Sequence, residues 1–173
     1  MDQELKSLLA KIVRFAIIMI IIGLVIGIFY REYSKKLLFE FPLDTQVLVG
    51  HHFSLAHGHT ILLGAAIPLL LALLAFLVQQ FYDKKSDLFR HLRKVFNFYM
   101  VGAIASLLLL YYKGSAFIYI FQKNPAQSFN VIEKNLFFGI DLLRVFLYLI
   151  SHAIWGVSLI YFVGVLFPKF KKG

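Results

Sequence analysis

The chain has 173 residues, 60% of them hydrophobic, with a mean hydropathy of +0.78 and a formal net charge of +9. A soluble domain cannot hide that much apolar surface, and the length suits one compact bundle, so the composition predicts an integral membrane protein. The absence of cysteine excludes disulfides, thiolate metal sites, iron–sulfur clusters and covalently held c-type haem; no nucleic-acid-binding motif accompanies the positive charge.

The first uncharged run, about Ile12 to Tyr30, follows Lys6, Lys11 and Arg14. Tyr30-Arg31-Glu32-Tyr33 offers no small-residue cleavage site, so the run reads as a retained first span. Gly23 and Gly27 form a Gly-xxx-Gly face that packs helices, either within one chain or between copies of a homo-oligomer. Arg31 closes this span, as an interfacial anchor paired with Glu32 or as the partner of a carboxylate such as a haem propionate.

The 38 residues from Thr45 to Tyr82 carry no Lys, Arg, Asp or Glu but hold His51, His52, His57 and His59. The second span lies here; Asp44 is placed to cap it and Pro68 to bend it. Residues seven apart share a helical face, so Gly50, His57 and Gly64 form one stripe with room beside the imidazole for something flat and wide. His57 therefore reads either as an axial haem or metal ligand or as a hydrogen-bonding partner for a neighbouring helix. His52 and His59 share another stripe, which suits a second metal site, a proton path or simple polar packing.

The third span, about Val95 to Tyr112, leaves open whether its helix continues past Gly114-Ser115 to Phe121. The fourth, about Asn135 to Phe167, contains Asp141 and Arg144 three apart, then His152 with Gly156 one turn on and Trp155 between them. Two histidines on two spans, each beside glycine, match what a bis-histidine haem needs. The predicted fold is thus an all-α, four-transmembrane-helix bundle over residues 1–173. Eleven Lys and Arg residues fall on the side of the termini and six on the other, which predicts both termini in the cytoplasm. No His-Glu-x-x-His, serine elbow or paired carboxylates support hydrolysis.

The runs F-Y-R-E-Y, D-T-Q and L-A-H-G-H-T-I-L-L-G resemble an uncharacterised family of small four-span bacterial membrane proteins. They are also similar to the first two helices of subunit I of haem-copper oxidases and nitric oxide reductases. That resemblance implies His57 as an axial ligand of a low-spin haem and Arg31 as its neighbour; I-S-H-A-I-W-G, weakly similar, implies His152 opposite. The three copper-binding histidines of that family have no counterpart here, so an oxygen-reducing centre is not implied. The resulting expectation is a haem b protein of the bacterial cytoplasmic membrane, bis-histidine, serving electron transfer, haem-based sensing or haem handling, with a quinol or other redox partner in the lipid. Two other readings stand beside it: a small transporter or channel for protons or metal ions with a histidine-lined polar path, and a structural or assembly subunit whose histidines only pack.

Overall fold

A computed structural model describes residues 2–37, 43–80, 86–124 and 127–167, with the side chains of all of these except 33–37, 43–45, 48, 86 and 129. The expected Asp44 cap and the basic residues Lys84, Lys85, Lys169, Lys171 and Lys172 lie outside this described set. Every element among the described residues is helical: α1 (Gln3–Leu37), α2 (Leu43–Ile61), a π turn (Leu62–Ala66), α3 (Ile67–Gln80), α4 (Ser86–Lys123), α5 (Phe129–Asn135), a 3-10 turn (Leu136–Gly139) and α6 (Asp141–Leu166).

Four helical stretches, Gln3–Glu32, Val49–Gln80, Asp87–Lys123 and Asp141–Leu166, are long and apolar enough to cross a membrane, the pattern of a multi-pass membrane protein. α1 shows why. Asp2 Oδ1 accepts from the Glu4 amide at 2.7 Å, capping the start. Leu5, Leu8, Ile12, Phe15 and Met19 are buried on one stripe, while Ile17, Ile21, Leu24, Val25 and Ile28 face outward. An exposed face that apolar belongs against lipid or another protein.

The helices form two cores at opposite ends. Leu5, Val78, Phe89 and Leu166 share one core, so the start of α1, the end of α3, the start of α4 and the end of α6 meet at the same end. Both ends of the described chain therefore lie together. Val49, Phe53, Phe117, Ile132 and Phe137 form the other core, where α5 and the 3-10 turn cover α2 and α4. α4 is the organising element: it packs along α6 most extensively and also against α1 and α2. It approaches α6 closely at Gly102, where a Cβ would lie 2.5 Å from the Trp155 backbone nitrogen.

α4 continues without a break past Gly114 to Lys123, answering the question the sequence leaves open. The long second span is not one helix. Its π turn ends just before α3, in which Pro68 is the second residue. In the π register Ile67 N–H donates to Leu62 O. Leu63 O would then await the amide of residue 68, and proline has none. The Tyr99 hydroxyl, on α4, donates to Leu63 O at 2.6 Å and satisfies it. The fourth span starts later than the charge gap suggests. Phe137 and Phe138 take left-handed φ of 55° and 62°, and Gly139 follows at 74°, so α6 begins at Asp141.

Candidate functional site

The stripe Gly50–His57–Gly64 faces α1 along its whole length. A Cβ at Gly50 would lie 3.3 Å from the Tyr30 hydroxyl, and one at Gly64 would lie 2.5 Å from Met19 Cβ. His57 Nδ1 donates to Gly23 O at 2.8 Å, and its ring lies against Gly27, whose Cβ would be 2.9 Å away. The room that these glycines leave is thus filled by α1, and the Gly23-xxx-Gly27 face packs within the chain. His152 sits elsewhere. It is exposed, donates Nδ1–H to Tyr148 O on its own helix at 2.8 Å, and lies between the rings of Tyr148 and Trp155. It lines an open groove of about 570 Å³ with Lys113, Glu133, Arg144 and Tyr148.

A haem held between His57 and His152 does not fit this arrangement. His57 is turned into the α1–α2 interface and His152 toward the groove beside α4 and α5, so the two rings do not face one gap. Gly156 has no heavy atom within 4 Å of its Cβ position, yet the open space there has no second imidazole described beside it. Arg31 is exposed and reaches Glu32 at 4.0 Å. His59 donates to Leu55 O of its own helix, whereas His52 turns to α4, so this stripe does not converge on one ion. No group of three His, Cys, Asp or Glu residues suited to a metal occurs among the described residues.

The polar groups that the structure does gather lie along α4 and the side of α2 that meets it. Tyr99, 1% exposed, holds Leu63 O. Seven residues on, the buried Ser106 hydroxyl has no hydrogen-bond partner among the described residues. Next comes Tyr111, paired with Thr60 of α2. Both hydroxyls reach Ala56 O, Thr60 donating at 2.7 Å and Tyr111 at 3.5 Å. Beyond them stands His52, stacked on Phe117 at 5.4 Å, its Nε2 buried and unpartnered among the described residues. Gly114 of α4 lies beside it, in ordinary contact distance of His52 Cβ and the Phe53 ring.

The column ends at an ion-pair cluster. Lys113 Nζ bonds Glu133 Oε1 at 2.7 Å, Arg144 reaches the same carboxylate at 3.6 Å, and Arg144 also meets Asp141 at 3.2 Å. Lys113 is 17% exposed and Glu133 31%, so the cluster is only partly wet. The Lys113 ammonium bonded to Glu133 holds its carboxyl below the ordinary value of 4.5, against burial, which pushes it up; Arg144 and His52 reinforce the lowering. Glu133 thereby ties α5 to both α4 and α6.

A family model described as a protein of unknown function, DUF2871, matches residues 9–168. The chain belongs to the DUF2871 family. No curated protein and no solved structure matches it.

In this DUF2871 chain, Asp141 and Arg144, three apart in the sequence, form an ion pair beside the groove. The α4 column was not anticipated. Its signal is nonetheless written in the sequence: Tyr99, Ser106 and Lys113 recur every seven residues inside an apolar span. Glu133 sits in a short segment whose role depends wholly on what it reaches.

Proposed function

We propose that this DUF2871 chain is a small proton-conducting membrane protein whose path follows the buried face of α4. One observation carries the reading: an ionisable side chain, His52, is half-buried, and its Nε2 is fully buried with no partner among the described residues, at the head of a series of hydroxyls. Ionisable groups inside apolar spans are expensive and are kept for transport or relay of charge. Glu133, Lys113 and Arg144 form the polar mouth. His52 accepts a proton there, and Tyr111, Thr60, Ser106 and Tyr99 supply hydroxyls inward. Seven residues of helix rise about 10.5 Å, too far for direct transfer between successive hydroxyls, so conduction needs water that enters transiently between α2 and α4. Protons are favoured over metal ions because the path offers single donors at each level rather than a ligand cluster.

In this reading the protein lies in a bacterial cytoplasmic membrane, with both termini inside and the Glu133 cluster outside, following the excess of basic residues near the termini. The test is proton entry into liposomes reconstituted with the protein and loaded with a pH-sensitive dye, driven by a potassium diffusion potential. His52→Ala should slow the flux about tenfold or more, and Ser106→Leu should slow it similarly. His59→Ala, whose ring only bonds its own helix, should leave it unchanged. Equal flux in wild type and His52→Ala would refute the path.

A further inference from the structure

A second groove, of about 510 Å³, runs between α4 and α6 away from the proton column. Val95, Phe98, Ala153 and Val157 line it with Ser158, whose hydroxyl donates to Ile154 O of its own helix, and His91 and Tyr161 form one end. His91 Nε2 and the Tyr161 hydroxyl lie 2.9 Å apart. Whichever of the two donates, a neutral ring and a hydroxyl together keep one further N–H or O–H for a third group. The charge around this end is lopsided. Arg90 is paired with Asp87 and Arg93 with Glu4, but exposed Lys94, one turn from His91, has no counter-ion among the described residues.

We infer that this groove binds one anionic phospholipid, with an acyl chain along Val95, Phe98, Ala153 and Val157 and the phosphate at Lys94, His91 and Tyr161. An apolar trough closed by a few convergent polar groups is the usual form of an amphiphile site. Basic residues between spanning helices at the cytoplasmic side select acidic headgroups. The inference needs the membrane reading and the sidedness, but not proton conduction.

The test is native mass spectrometry of the full chain in mild detergent, titrated separately with phosphatidylglycerol and phosphatidylcholine of the same acyl chains. The expected result is one tightly held phosphatidylglycerol per chain and weaker phosphatidylcholine. Lys94→Ala should reduce the preference roughly fivefold, the effect of one basic residue near a charged headgroup. Ala153→Phe, which fills the trough, should remove both lipids from the site. Should Ala153→Phe fail to fold, the exposed Lys94→Ala and His91→Ala variants still decide the matter. Equal retention of both lipids by the wild type would overturn the inference, as would a preference untouched by Lys94→Ala and His91→Ala. A dimer that binds phosphatidylglycerol only on dissociating would also overturn it, by making a second copy the occupant.

Discussion

Removing the Tyr99 hydroxyl probes the most unusual backbone feature of the fold. The π register between Leu62 and Ala66 directs Leu63 O toward residue 68, which is proline, and the Tyr99 hydroxyl answers it at 2.6 Å. Leu63 is 3% exposed, so water does not replace the donor. Tyr99→Phe should therefore cost about 1–3 kcal/mol, the penalty of a buried acceptor left unmade. Pro68→Ala returns an N–H five residues from Leu63. In that background Tyr99→Phe should cost less than about 1 kcal/mol, a coupling of about 1–2 kcal/mol between residues on different helices. Reversible unfolding by SDS, followed through the single tryptophan, Trp155, measures all four corners of the cycle. Identical losses with and without Pro68, or no loss at all, would refute the assignment of Tyr99 as the proline's substitute donor.

Gly102→Ala should destabilise by about 1–3 kcal/mol or more, since its Cβ would meet backbone 2.5 Å away rather than a movable side chain. Gly156→Ala, with open space around it, should instead stabilise by about 0.5–1 kcal/mol in the same assay. Because the folded pKa of Glu133 is lowered, its contribution is complete above the ordinary value of 4.5 and disappears as pH falls through the lower folded value. The α5 amides should lose protection, measured against their intrinsic exchange rates, over that acidic window, and Glu133→Gln should show the lower protection already at neutral pH.

Charge gaps in the chain located the four apolar stretches, because an uncharged run of this length leaves few alternatives. They did not locate helix ends. α6 starts at Asp141 because Phe137 and Phe138 adopt left-handed backbone, which bulky residues do not advertise. The glycines around His57 were legible as an absence of side chains but not as to what fills the space; α1 supplies Tyr30, the Gly23-xxx-Gly27 face and Met19. Pro68 announced a disturbance, yet its form depends on Tyr99, 31 positions away. The seven-residue recurrence of Tyr99, Ser106 and Lys113 was readable, but tyrosines near span ends resemble interfacial belts until their burial is known. Glu133 is instructive for the opposite reason. Its neighbours in sequence are unremarkable, and its partners Lys113 and Arg144 come from the helices on either side.

Dye-reported proton entry into liposomes carrying the wild-type protein, compared with empty liposomes at the same imposed potential, bears on the central claim most directly. Acidification that rises with the amount of protein reconstituted is the predicted outcome. Traces that overlay those of empty liposomes, from protein shown to be folded and inserted, would contradict it.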